Sequence, residues 1–132
     1  MNQRARARVL IVEDEAIVAL DIQSRVRNMG YEVVRQVSSG EAAIAAAREE
    51  RPDLILMDIM LDGAMDGIQA AGVISSELSI PVIYLTAYAD ETTLQRAKVT
   101  DPFGYIIKPF EDRELSVNIE MALYKHAMDR KV

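Results

Sequence analysis

The sequence predicts an α/β fold: a parallel five-stranded sheet with helices on both faces. Three observations predict it. Five short runs rich in apolar or β-branched residues recur along the 132 residues, the length of strands rather than helices. Between them lie segments whose apolar residues return at helical spacing. Four of the five runs stop at a residue able to do chemistry: Glu13 and Asp14, Asp58, Thr86, and Lys108. Strands that alternate with helices pair in parallel, and the helices cover both faces.

The elements follow in order. Arg8 to Val12 is an apolar run that ends at Glu13-Asp14-Glu15, and it reads as a strand buried on both faces. Val18, Ile22, Val26 and Met29 then trace a helix, and Gly30 stands where a helix C′ residue belongs. Tyr31 to Val37 reads as the second strand. Ser38 with Glu41 three residues on resembles a capping box, opening an alanine-rich helix to about Glu50 that Pro52 breaks. Leu54 to Met57 is the third strand, ending at Asp58. After a loop containing Gly and Asp, Asp66 caps a helix through Ile68, Ala71 and Ile74. Pro81 to Leu85 is the fourth strand, ending at Thr86. Asp90 caps a helix to about Val99. Tyr105 to Ile107 is the brief fifth strand before Lys108-Pro109, and a last helix runs from about Glu111 toward the C-terminus.

Composition narrows the chemistry. There is no cysteine, so disulfides, thiolate nucleophiles and thiolate metal sites are excluded. The single histidine, His126, excludes zinc sites built on several histidines. The net charge is −6, and three of the basic residues, Arg4, Arg6 and Arg8, crowd the start. The acidic remainder is a poor surface for nucleic acid, and we expect no direct nucleic-acid contact. No apolar run approaches the ~20 residues that cross a bilayer, so we expect no membrane contact and a cytoplasmic location. We expect a flexible basic arm over 1–7, one domain over 8–128, and the end of the last helix or a tail over 129–132.

Ligands of such sheets bind beyond the carboxyl ends of the strands. Two or three acids, a hydroxyl and an amine therefore converge on one edge. Clustered carboxylates repel one another, and a hard divalent cation relieves that repulsion. A carboxylate beside a magnesium ion and a lysine suits the acceptance of a phosphoryl group, because both cations neutralise charge on the transferring oxygens.

With these residues in place, the chain resembles the receiver domain of a two-component response regulator over about residues 8 to 128. The resemblance implies a flavodoxin-like (βα)5 doubly wound sheet with strand order 2-1-3-4-5. Glu13-Asp14 resembles the family's acidic pair, Asp58 its phospho-acceptor, Thr86-Ala87 its switch hydroxyl and small neighbour, and Tyr105 its switch aromatic. Lys108-Pro109-Phe110 resembles its lysine followed by a cis-proline, Pro109. The resemblance implies Mg2+, or Mn2+, ligated by Asp14, Asp58 and the backbone carbonyl of Met60, with Glu13 holding a metal-bound water. It implies a histidine kinase or phosphotransfer protein as donor, and a switched face made of the fourth helix, fifth strand and fifth helix. Such a domain catalyses its own phosphorylation and dephosphorylation but is a switch rather than a turnover enzyme. The acidic pair is Glu-Asp where the family more often has Asp-Asp. The loop from Ile59 to Gly67 is one residue longer than usual and lacks a proline four residues after the acceptor.

Two positions bear on phosphate lifetime, Met60 and Tyr88, which lie two residues after the acceptor and two after the threonine. Neither orients water and both are bulky, so we expect a long-lived phosphoryl group. The last helix carries two apolar stripes, Leu115, Ile119, Ala122 and Leu123 on one side and Val117, Met121, Tyr124 and Met128 on another. A sheet can bury only one, so the second is expected to serve a homodimer or a further domain. Two other functions compete. A flavin carrier of this topology needs a Ser/Thr/Gly-rich phosphate loop after the first strand, where this chain has Glu-Asp-Glu. A pseudo-receiver would act as an interaction module without phosphorylation. His126, near the end of an amphipathic helix, is not expected to carry phosphate.

Overall fold

The computed structural model describes residues 6–130. Five strands alternate with five helices: β1 (Arg8–Val12), α1 (Ala16–Asn28), β2 (Glu32–Val37), α2 (Gly40–Glu50), β3 (Leu54–Met57), α3 (Gly67–Leu78), β4 (Val82–Thr86), α4 (Glu91–Val99), β5 (Gly104–Ile107) and α5 (Asp112–Arg130). The strands are all parallel, in the order β2-β1-β3-β4-β5. The order reverses beside β1, which opens the crevice at the carboxyl ends of β1 and β3.

Alternation along each strand divides the core into two layers. Val9, Ile11, Leu54, Leu56, Ile83, Leu85 and Ile106 face α1 and α5, meeting Ile22, Val26, Leu115, Ile119 and Ala122. Leu10, Val12, Ile55, Met57, Val82 and Tyr84 face α2, α3 and α4. There the helices contribute mostly alanine: Ala43, Ala46, Ala47, Ala70, Ala71 and Ala97. Small side chains let these helices lie close to the sheet. The central strands β3 and β4 are buried throughout, as their unbroken apolar runs require.

Local details differ from the sequence reading at one helix cap and at the bounds of β2, of β5 and of β4, which runs Val82–Thr86 rather than Pro81 to Leu85. The N-cap of α2 is Ser39, not Ser38: the Ser39 hydroxyl accepts from the Ala42 N–H at 3.1 Å. Both serines are capable caps, and long-range packing decides between them. Ser39 pairs with Asp62 in an isolated bridge, and Gly40 lies so close to Met65 that a Cβ would meet its Cγ at 2.9 Å. The strand β2 begins at Glu32 rather than Tyr31, and β5 begins one residue early at Gly104. Gly30 follows α1 with φ +98°, the left-handed C′ conformation expected of it. Asp66 caps α3 in a full capping box with Gln69. Most of the expected basic arm, residues 1–5, lies outside the described residues, while the Ala7 carbonyl accepts from the Glu32 N–H at 2.9 Å. Asp129 and Arg130 belong to α5.

Candidate functional site at the carboxyl edge of the sheet

Glu13, Asp14, Asp58 and Lys108 sit just past strands and Thr86 ends β4; the loops after β1, β3 and β5 are locked by continuing the sheet's hydrogen bonds one step further. Glu13 N–H donates to Val37 O at 2.9 Å, Asp58 N–H to Val12 O at 3.0 Å, and Lys108 N–H to Thr86 O at 2.8 Å. Gln36 Nε2 also donates to the carbonyls of Glu13 and Val37, both at 2.8 Å. The site therefore inherits the rigidity of the sheet.

The three acids meet. Glu13, Asp14 and Asp58 each offer a carboxylate oxygen, and these oxygens lie within 4.8 Å of one another. Lys108 crosses from the loop after β5 to join them. Its Nζ donates to Glu13 Oε1 at 2.6 Å and to Asp58 Oδ2 at 3.1 Å. The other Asp58 oxygen, Oδ1, accepts from the Ile59 N–H at 2.7 Å, and Glu13 Oε2 accepts from the Glu15 N–H at 3.1 Å. Glu13 is 2% exposed and Asp58 7%. Burial pushes the Glu13 carboxyl up to about 7 against the hydrogen bond from Lys108, with the Asp58 charge adding to the rise. Burial pulls the Lys108 ammonium down, but its hydrogen bond to Glu13 and the Asp58 charge outweigh this and leave its pKa raised.

This donor set fits a hard divalent cation. It is all oxygen and gathered on one side, and its nearly buried Glu13 is costly to ionise without a second positive charge.

Thr86 is fully buried at the end of β4, where its hydroxyl accepts from the Tyr88 N–H at 3.4 Å. Tyr105 is not gathered into the acid cluster. Its ring packs against Tyr84 with centroids 5.8 Å apart, and its hydroxyl donates to the Tyr88 carbonyl. Met60 and Tyr88 both hold exposed side chains. The Lys108–Pro109 peptide is cis. His126 lies at the opposite edge of the sheet, lining a cleft of about 580 Å³ with Ser79, Ile80 and Phe103. That cleft contains none of the three acids.

One residue of the site escaped sequence reading. Gly67 opens α3 and donates its N–H to the Ile59 carbonyl at 2.7 Å. A Cβ there would stand 1.9 Å from the Asp58 carbonyl oxygen, so only glycine fits behind the acceptor. The available signal was the Asp66-Gly67 pair at a helix start. The long loop after Asp58 also has a definite path. It docks on the start of α2, where Asp62 N–H donates to Ser38 O at 3.2 Å and Gly63, at φ +89°, lies against the Glu41 carboxylate.

Comparison with known proteins agrees with this geometry. The family model described as "Response regulator receiver domain" matches residues 9–120. The transcriptional regulatory protein PdtaR of Mycobacterium tuberculosis is 37% identical over 116 residues, covering 88% of this chain and 56% of that protein. The DNA-binding response regulator MtrA of Mycobacterium leprae is 33% identical over 121 residues, covering 92% of this chain and 53% of that protein. The chain thus spans about half the length of these curated relatives. Among solved structures, the signal receiver domain of a modulated diguanylate cyclase from Desulfovibrio desulfuricans G20 superposes with a TM-score of 0.89 at 38% identity, covering 96% of this chain and 99% of that one. From the strand-end acids, the lysine that bridges them and these matches together, the chain belongs to the response regulator receiver domain family.

Proposed function

We propose that the chain is a phospho-accepting switch with Asp58 as the acceptor. The observation that carries this is Lys108 Nζ lying between Glu13 Oε1 and Asp58 Oδ2 while Asp14 closes the acidic group. An Asp58 carboxylate oxygen attacks the phosphorus of a phosphohistidine on a histidine kinase or phosphotransfer protein. The new O–P bond forms as the N–P bond breaks, and the electron pair leaves with the imidazole nitrogen. Lys108 stays beside Asp58 and neutralises charge on the arriving oxygens. Asp14, Asp58 and the Met60 carbonyl would hold Mg2+ or Mn2+, with Glu13 acting through a water. The cation, when bound, supplies further neutralisation of the phosphoryl oxygens. Ile17 and Leu20 on α1 are exposed, a suitable apolar footing for the donor protein.

Phosphorylation gives the Thr86 hydroxyl a new acceptor. Thr86 then turns toward the phosphoryl group, and Tyr105 leaves the Tyr88 carbonyl and turns inward. That population shift alters the face formed by α4, β5 and α5. The exposed stripe of α5 supports a homodimer. The partners are proteins of a two-component relay in the cytoplasm, with no direct contact to nucleic acid. Among the described residues, no helix is long and apolar enough to cross a membrane.

Beryllofluoride with magnesium, which mimics an aspartyl phosphate, tests the reading. Titrated into the 15N-labelled chain, it should shift the Thr86 and Ala87 amides in wild type and leave Asp58→Asn unchanged. An unchanged wild-type spectrum at saturating reagent would leave an interaction module that works without phosphate.

A further inference from the structure

We infer that Arg25, on α1, is the positioning residue for Lys108: it clamps the connection that carries the lysine and so fixes where the ammonium meets Asp58. The consequence for rate rests on Asp58 being the phospho-acceptor, while the clamp itself belongs to the unmodified chain.

Residues 108–111 join β5 to α5. The first of them is tied to the sheet, through the Lys108 N–H on Thr86 O at 2.8 Å. The far end is tied to α1. Arg25 Nη1 donates to Asp112 Oδ1 at 2.6 Å, across 87 positions of sequence. The same guanidinium stands 5.0 Å from the centroid of the Phe110 ring, within cation–π range. Phe110 itself packs against the core layer that holds Ile22 and Val26 of α1. From behind, Asp21 Oδ2 accepts from Arg25 Nε at 2.9 Å, one helical turn away, and holds the guanidinium in place. One planar group thus gives one edge to Asp21, another to Asp112 and its face to Phe110. A lysine ammonium has no plane with which to do this.

The lysine needs such an anchor. Its charge is a compact point at the end of a flexible four-carbon stem. Nζ lies 2.6 Å from Glu13 Oε1 and 3.1 Å from Asp58 Oδ2, so it serves two carboxylates at once and is nearer to the one that does not react. Phe110 is two residues beyond Lys108, and its seating sets the direction in which the chain leaves β5. With Arg25 removed, Asp112 loses its partner and the Phe110 ring loses its cover. The connection then gains freedom, and the ammonium settles toward Glu13. A misplacement of about 1 Å is enough to cost as much as a hundredfold in rate, because charge neutralisation depends on a fixed geometry. Both ion pairs of Arg25 are partly exposed, and such pairs contribute little to folding. The clamp therefore acts on geometry at the site more than on stability.

Two measurements on the full chain test this, and one needs no phosphorylation. A held ammonium keeps the two ε-methylene protons of Lys108 inequivalent, whereas a mobile one averages them. The lysines are Lys98, Lys108, Lys125 and Lys131, so a lysine-labelled NMR spectrum is sparse, and Lys108→Ala identifies the signal by its loss. The two protons should be resolved in wild type and averaged in Arg25→Ala. The second measurement is the rate of phosphorylation at saturating acetyl phosphate, followed by intact mass. It should fall about tenfold in Arg25→Ala. The magnesium concentration giving half the maximal rate should stay as in wild type, since Asp14, Asp58 and Met60 lie outside the clamped connection. Arg35→Ala removes the same charge from an arginine that also bonds two carboxylates, Glu49 and Glu50, and should leave both readouts at their wild-type values. Arg25 lies on the surface side of α1, and circular dichroism checks that each variant folds. A rate in Arg25→Ala within twofold of wild type, an equal fall in Arg35→Ala, or Lys108 protons resolved alike in wild type and Arg25→Ala would overturn the inference. A wild type that takes no phosphoryl group would count against Asp58 as acceptor instead, and the lysine signals would then decide the clamp alone.

Discussion

Replacing Gly67 by alanine would place a methyl carbon 1.9 Å from the Asp58 carbonyl oxygen, 2.9 Å from its carbon and 3.0 Å from Ile59 Cα. All three are backbone atoms at the end of β3, so no side chain can rotate away. Relief requires α3 to retreat from the sheet or the Asp58 segment to shift. Overpacking of this kind costs about 3 kcal/mol, the upper end of the usual range, because the obstacle is backbone. The same substitution further along the same helix makes the control. A Cβ at Gly72 meets only Thr100 Cγ2, at 3.8 Å, an ordinary contact. Gly72→Ala should therefore stabilise by about 0.5–1 kcal/mol through helix propensity alone. Urea unfolding followed by circular dichroism reads both. With a slope of about 1.5 kcal/mol per molar, the Gly67→Ala midpoint should fall by about 2 M and the Gly72→Ala midpoint should rise slightly. A Gly67→Ala midpoint within about 0.3 M of wild type would refute the claim that glycine is required behind the acceptor.

Three further outcomes follow. The double variant Met60→Asn/Tyr88→Glu should shorten the lifetime of the phosphoryl group about tenfold, because it introduces groups that orient water; decay followed by intact mass checks this. Thr86→Val removes a fully buried hydroxyl, so Asp58 should still be phosphorylated while the Tyr105 ring resonances lose their response to beryllofluoride. Tyr84 is fully buried, and burial pushes its phenol up to about 12 against a hydrogen bond with Thr100. The fold favours the protonated form, so this stability is complete below pH 10 and is lost as pH rises toward 12; in Tyr84→Phe the decline between pH 10 and 11 should be shallower by about 1 kcal/mol.

The fold was legible because its strands are short apolar runs and three of its helices, α2, α3 and α4, begin at side-chain caps. Asp66 and Asp90 were readable as caps since each is the lone capping residue before a helical pattern. Ser38 and Ser39 were not separable, because the choice depends on Asp62 and Met65 more than 20 residues away. The acids and Lys108 were legible because a parallel sheet brings its strand ends to one edge whatever the loops do. Gly67 was not, because its role is a close approach to Asp58 that no local pattern encodes. The orientation of Tyr105 was equally hidden, since it rests on the Tyr88 carbonyl, 17 residues away.

The central claim is that Asp58 accepts a phosphoryl group in a cation-dependent reaction. Intact mass after incubation with acetyl phosphate and magnesium tests it most directly. The account predicts a gain of one phosphoryl mass in wild type, no gain without magnesium, and no gain in Asp58→Asn. A full gain in Asp58→Asn, or none in wild type with magnesium present, would contradict it.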